Sequence, residues 1–178
     1  MAEENQVFKS AVKYEGIFVF KDLYKFCYDY LKDELGFDEL GEEVYKEAIK
    51  GDEKEIKVKW NGAKKFDDYF KFKIKIEFRI FNLKNVEIQQ GEKKLKMNKG
   101  IAEVHMKGIL VSDYRGLWAM HPVRKFMRNV YEKWIIPSRI DKIETKLIGN
   151  CDEFLTQAKA YLDLEGKKEN LTTVVPNR

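Results

Sequence analysis

Two cysteines and two histidines are all that the 178 residues supply of the side chains most used in metal, redox and nucleophilic chemistry. Cys27 and Cys151 lie far apart, each among apolar neighbours at helical spacing, so they read as small core residues of a reducing compartment. His105 and His121 sit outside the ligand spacings that zinc and iron sites use, so no metal or other cofactor is expected. Ser10, Ser112 and Ser138 lack the strand–turn–helix setting of a nucleophile elbow, and with so few histidines a hydrolytic triad has little choice of base. Gly91-Glu92-Lys93-Lys94 reads as a hairpin tip without the spacing of a phosphate-binding loop. No apolar run approaches the ~20 residues of a membrane span. The acidic start, MAEENQ, lacks the basic flank of a secretory signal, and a cytoplasmic location is expected. An excess of one charge is missing too: 34 Lys and Arg against 30 Asp and Glu leave only +4. Most of the positive charge is lysine, whereas arginine is favoured for bidentate phosphate recognition, so the composition argues only weakly for a polyanionic partner.

What the chain does have is charge in quantity and a rhythm that sorts it. Charged residues make up 36% of the sequence, against roughly 25% in an average soluble domain. Between Asp68 and Phe81 they alternate with apolar ones: Phe70, Phe72, Ile74, Ile76, Phe78 and Ile80 fall on one side, Lys71, Lys73, Lys75, Glu77 and Arg79 on the other. A period of two marks a strand with one dry and one wet face. Strands of a parallel sheet are dry on both sides, so this one belongs to an antiparallel sheet covered on a single face.

The same reading extends along the chain. Residues 7–20 alternate as a first strand, followed by a helix with Asp22 as N-cap, a stripe of Leu23, Phe26, Cys27, Tyr30, Leu31 and Leu35, and Gly36 at its end. Residues 42–50 fit either period and are assigned to a strand because a Gly51-Asp52 turn follows. Residues 55–60 form the next strand, after which Asn61-Gly62 marks a turn or loop. The long strand bends at residues 82–84 and resumes through Val86 and Ile88. The chain then reverses near Gly91, which brings Leu95 and Met97 back beside Ile88. A final strand, 101–112, turns Ala102, Val104, Met106, Gly108 and Leu110 inward and Glu103, His105 and Lys107 outward.

The last third is helical. Pro122 opens a helix with an apolar stripe of Val123, Phe126, Met127, Val130, Tyr131 and Trp134, and Arg124, Lys125, Arg128 and Lys133 on the opposite face. Pro137 ends it. Ser138 can cap a last helix whose stripe runs Ile140, Ile143, Leu147, Cys151, Phe154, Leu155, Ala158 and Leu162, with a kink or second cap at Gly149-Asn150. The expectation is therefore an α+β domain over residues 7–165, a flexible start at 1–6 and a polar tail at 166–178. Its curved, mainly antiparallel sheet of five to seven strands is covered on one face by an N-terminal helix and two C-terminal helices.

That order of elements resembles the helix-grip layout of the START and polyketide-cyclase-like superfamily. The resemblance implies a sheet that grips the last helix and encloses an apolar cavity. The chain departs from the pattern in having residues 42–50 where a second helix usually follows the first strand, and an extra helix, 122–135, before the last. The segments 16–26 (GIFVFKDLYKF), 67–78 (DDYFKFKIKIEF), 81–88 (FNLKNVEI) and 131–136 (YEKWII) also resemble an uncharacterised family of small archaeal proteins, which implies no activity.

Two surfaces are candidates for function, and both point to binding, with enzyme chemistry the lesser expectation because no nucleophile, base and orienting group come together. Trp60, Phe70, Phe72, Phe78, Met106 and Trp118 could line a pocket between sheet and helices for a hydrophobic or amphipathic small molecule or lipid. With 13% aromatic residues, the plainer role of those rings is to fill the core. Alternatively, Lys57, Lys59, Lys71, Lys73, Lys75 and Arg79 on the sheet, with Arg124, Lys125, Arg128 and Lys133 beside Trp118 and Trp134 on the helix, form a basic surface for a protein or RNA partner. Interspersed Glu55, Glu77, Glu87 and Glu103 weaken that potential, and the wet face lacks the exposed rings on which RNA-binding sheets stack bases.

Overall fold

The computed structural model describes residues 3–90, 93–116, 118 and 122–170. Five strands, β1 (Glu3–Phe18), β2 (Glu39–Lys50), β3 (Glu53–Lys65), β4 (Phe70–Gln90) and β5 (Lys93–Ser112), form one antiparallel sheet in the order β1-β5-β4-β3-β2. β2 to β5 follow one another as a meander, and β1 returns to pair with β5, so the longest strands lie in the middle. Helix α1 (Phe20–Asp29) continues into a wide turn at Tyr30–Glu34, α2 (Pro122–Val130) into another at Tyr131–Ile135, and α3 spans Pro137–Asn170. In each wide turn an N–H reaches five residues back, Leu35 to the Tyr30 carbonyl and Ile136 to that of Tyr131. The α+β class, the antiparallel sheet and the placing of one N-terminal and two C-terminal helices are as the alternation implies.

The dry face is the one expected. Phe70, Phe72, Ile74, Ile76, Phe78 and Ile80 are all buried, together with Val58 and Trp60 of β3 and Ala102, Val104, Met106 and Leu110 of β5. Each such large side chain contributes roughly 1.5–3 kcal/mol by leaving water. α3 lies over β1 and β5 and supplies Ile143, Leu147, Cys151, Phe154, Leu155, Ala158 and Leu162 to the same core. α1 lies beside it over β3, where the Tyr24 ring meets Trp60 edge-on at 4.7 Å and Phe26 stacks on Tyr161 of α3 at 4.6 Å. Burial pushes the Cys151 thiol up to about 12 and that of Cys27 higher still, which makes both inert packing atoms.

Several boundaries differ from the expectations, each for a local reason. β1 takes in residues 3–6, ahead of the expected start at 7; a bulge at Val7 shifts the register between Gln6 and Phe8 and hides their pairing from a simple period of two. α1 starts at Phe20, so Asp22 lies in its first turn and is not the cap. The Phe20 N–H is instead received across the sheet by Asn98 Oδ1, 3.3 Å away. Gly36 ends the helix as foreseen, at φ 66°, while the Phe37 N–H closes back on the Leu31 carbonyl.

Asn61-Gly62 is no turn. It lies inside β3, where a Cβ on residue 62 would stand 2.7 Å from Ile74 Cγ1, so the glycine answers a close approach of strands. The bend at residues 82–84 is a bulge, with Asn82 at φ 52° and the register shifting between Phe81 and Lys84. Ile88 then pairs with Leu95 and Val86 with Met97. Gly91 and Glu92 of the expected tip lie outside the described residues, as does His121. α3 passes Gly149-Asn150 as helix and runs on to Asn170, beyond the expected end at Gly166.

Candidate functional site

The sharpest departure from expectation is α2. A stripe of Val123, Phe126, Met127, Val130, Tyr131 and Trp134 was expected to face the core, with Arg128 among the exposed bases; the helix is turned the other way. Val123 is 70%, Phe126 69% and Trp134 74% exposed, and Met127, Val130 and Ile135 are exposed as well, while Tyr131 is half-buried. Arg128 is 5% exposed and is the one buried residue of α2.

The arginine is buried because three carboxylates converge on it. Its Nη2 donates to Glu3 at the start of β1, its Nη1 lies 4.0 Å from Asp113 just past β5, and its Nε is 3.9 Å from Glu132 one turn along the helix. Tyr69, before β4, donates its hydroxyl hydrogen to Glu132, and burial, reinforced by this contact, drives the phenol pKa far up. Asp113, 2% exposed and at φ 49°, also accepts the Trp118 N–H at 3.1 Å. The Trp118 ring stacks on Tyr131 at 5.9 Å. A guanidinium that loses water is tolerable only with such pairing, so this network decides which side of α2 faces the body. A sequence wheel weighs apolar against charged residues and assigns the charge outward; it has no means of seeing that Glu3, Asp113 and Glu132 would meet on one arginine.

The apolar face is therefore presented outward with basic residues at its borders. Arg124, Lys125 and Lys133 are exposed, and the Lys133 ammonium lies 5.9 Å from the centre of the Trp134 ring. The acid of this helix, Glu132, is turned inward by Arg128 and Tyr69.

The two surfaces expected from sequence are rearranged by this geometry. Trp60, Phe70, Phe72, Phe78 and Met106 are together in the core, with the rings of Trp60 and Phe78 4.7 Å apart. Trp118 is not with them but at the end of the sheet, against Tyr131. A depression of about 780 Å³ lies at the β2–β4 end between Tyr45, Ile56 and Ile80, and its lining includes none of Phe70, Phe72, Phe78, Met106 and Trp118.

On the wet face most of the expected basic surface is paired. Lys71 bonds Glu39 at 2.7 Å and Lys73 bonds Glu4; Lys57 and Arg79 both bond Glu77, at 2.9 and 3.1 Å. Burial would raise the Glu77 carboxyl, but hydrogen bonds from Arg79 and Lys57 and their charges overcome it and hold it at about 2. His105 faces this side, its Nε2 3.2 Å from Glu103. Among the described residues no group of His, Cys, Asp and Glu is arranged to hold a metal ion, and no helix is long and apolar enough to cross a membrane.

Comparison with known proteins gave no match: no family model, no curated protein and no solved structure matches the chain.

Proposed function

We propose that this chain is a non-catalytic binding protein that docks on the surface of an anionic lipid bilayer through the outward face of α2. The observation that carries the reading is the inversion of that helix: six large apolar side chains in water, with a buried arginine holding them there. Helices that lie in a membrane interface combine Trp, Phe and aliphatic residues on one face with Lys and Arg around it, as Phe126, Met127, Val130 and Trp134 do with Arg124, Lys125 and Lys133. Each basic residue near an anionic leaflet adds about 1 kcal/mol. The charge favours lipid headgroups over an apolar protein groove, since the helix offers no exposed acid to pair with a mixed-charge partner. Of the rings expected to line an internal lipid pocket, Trp60, Phe70, Phe72 and Phe78 are buried in the core, which supports a lipid-facing surface on the outside of the molecule.

Sedimentation with vesicles tests the proposal. The protein is expected to pellet with vesicles containing phosphatidylserine, weakly with phosphatidylcholine alone, and not at all after Phe126→Ser with Trp134→Ser. Absence of binding to both vesicle types overturns the reading. So does a concentration-dependent dimer that the same two substitutions abolish, which would assign the face to a second copy of the chain.

A further inference from the structure

A different part of the molecule, the middle of the wet sheet face, carries its own argument. The register sets Lys9 of β1 directly opposite Lys107 of β5, and Lys107 directly opposite Lys75 of β4. Side chains so paired stand about 4.5–5.5 Å apart at Cβ, and like charges there are destabilising. Lys59 of β3 stands one row away, opposite Glu77, and Asn61 opposite Lys75. Nearby wet-face cations are neutralised: Lys71 by Glu39, Lys73 by Glu4, Lys57 and Arg79 by Glu77, Lys13 by Glu103 at 3.9 Å. Among the described residues no carboxylate forms an ion pair with Lys9, Lys59, Lys75 or Lys107. Four ammonium groups on β1, β5, β4 and β3 thus stand without an ion pair, Lys75 near enough to help hold the Glu4 carboxyl down, while cations around them are paired.

We propose that this lysine row is a binding site for a compact, multiply charged phosphate compound. A depression of about 310 Å³ opens beside the row, and its polar lining is Lys59, Asn61, Lys75, His105 and Lys107 together with Glu43 and Glu77. Asn61 Nδ2 donates to Glu43 and Glu77 is bound by Arg79 and Lys57, so these two acids are already engaged. Glu4 of β1, Glu77 of β4 and Glu103 of β5 lie along the same strands as the lysines, and Glu43 lies on the neighbouring β2. These acids repel a long polyanion that leaves the patch and tolerate a short one that stays within it, so an oligophosphate fits better than a nucleic-acid backbone. Lysine is suited to this as a point-charge donor with three rotatable hydrogens.

Titration calorimetry of the full chain with inorganic tripolyphosphate, at low salt and without lipid, tests the site apart from the α2 surface. One-to-one binding is expected, weakened at least about tenfold by Lys75→Gln with Lys107→Gln, the size of effect that losing charge-assisted hydrogen bonds gives. The same pair is expected to raise the melting temperature, because it removes the repulsion across β4 and β5; lost binding with raised stability separates the site from a folding defect. Lys50→Gln, at the far end of β2, is the control. The proposal is overturned if tripolyphosphate does not bind, if Lys50→Gln weakens binding as much as the pair does, or if a single-stranded oligonucleotide binds more tightly with affinity growing with its length.

Discussion

β4 and α2 carry equally clear two-sided patterns, yet one buries its apolar side and the other exposes it. In β4 the backbone ladders to β3 and β5 fix the strand in a plane, and the side that α1 and α3 cover must be the apolar one. α2 has no such ladder. What holds it is one guanidinium among three carboxylates, an attachment made from its charged side. The comparison teaches that periodicity establishes that a segment has two faces, whereas the partner it meets decides which of them turns inward.

The broadest test sets a ring of each region side by side. Phe78→Ala is expected to cost about 3–5 kcal/mol in urea unfolding, and Phe126→Ala to stay within about 0.5 kcal/mol, as for an exposed site. Equal losses would erase the distinction between the regions. Arg128→Ala comes next, at about 2–4 kcal/mol, because Glu3, Asp113 and Glu132 would be left facing one another. Hydrogen exchange should quicken first in residues 122–135, and Arg128→Lys should rescue little, since a compact ammonium lacks the planar fork that reaches the separate positions of Glu3, Asp113 and Glu132. Gly62→Ala should cost about 1–3 kcal/mol through its clash with Ile74, read as a lower melting temperature with the α2 amides unaffected.

The smallest effect concerns pH. The Glu77 carboxyl is held at about 2 in the folded chain and lies near 4.5 when unperturbed. Its contribution is therefore complete above about pH 4.5 and is lost as pH falls through that value toward 2. Glu77→Gln should flatten the acid limb of a stability–pH curve, and an unchanged limb would show that Lys57 and Arg79 do not hold it in solution.

Much of the fold was legible because strands repeat on a short period and this chain obeys it: the inward residues of β4 and β5 and the buried stripe of α3 follow from alternation and helical spacing alone. The assignment of residues 42–50 to β2 came from the turn after them, where their own pattern was ambiguous. Legibility failed where a single residue broke the period or a distant one supplied the partner. The bulge at Val7 concealed four strand residues, Gly62 was read as a turn or loop when it serves packing against Ile74, and the Phe20 N–H at the start of α1 finds its acceptor in Asn98 of β5 and not in Asp22. The candidate site suffered most, since the facing of α2 depends on residues more than a hundred positions apart, Glu3 and Arg128.

The ion pairs of the wet face have one more consequence. Lys73 and Glu4 sit on strands separated by β5, and their contact passes over Ile109 and Val111, which are buried although they point to the wet side; Lys71 and Glu39 likewise reach across β3 beside the buried Ala63. Each margin of the sheet is thus strapped to its central strand over the top of the one between. Since exposed ionic contacts weaken with dissolved salt while backbone ladders do not, brine should peel this protein from its two rims inward and leave the middle three strands for last.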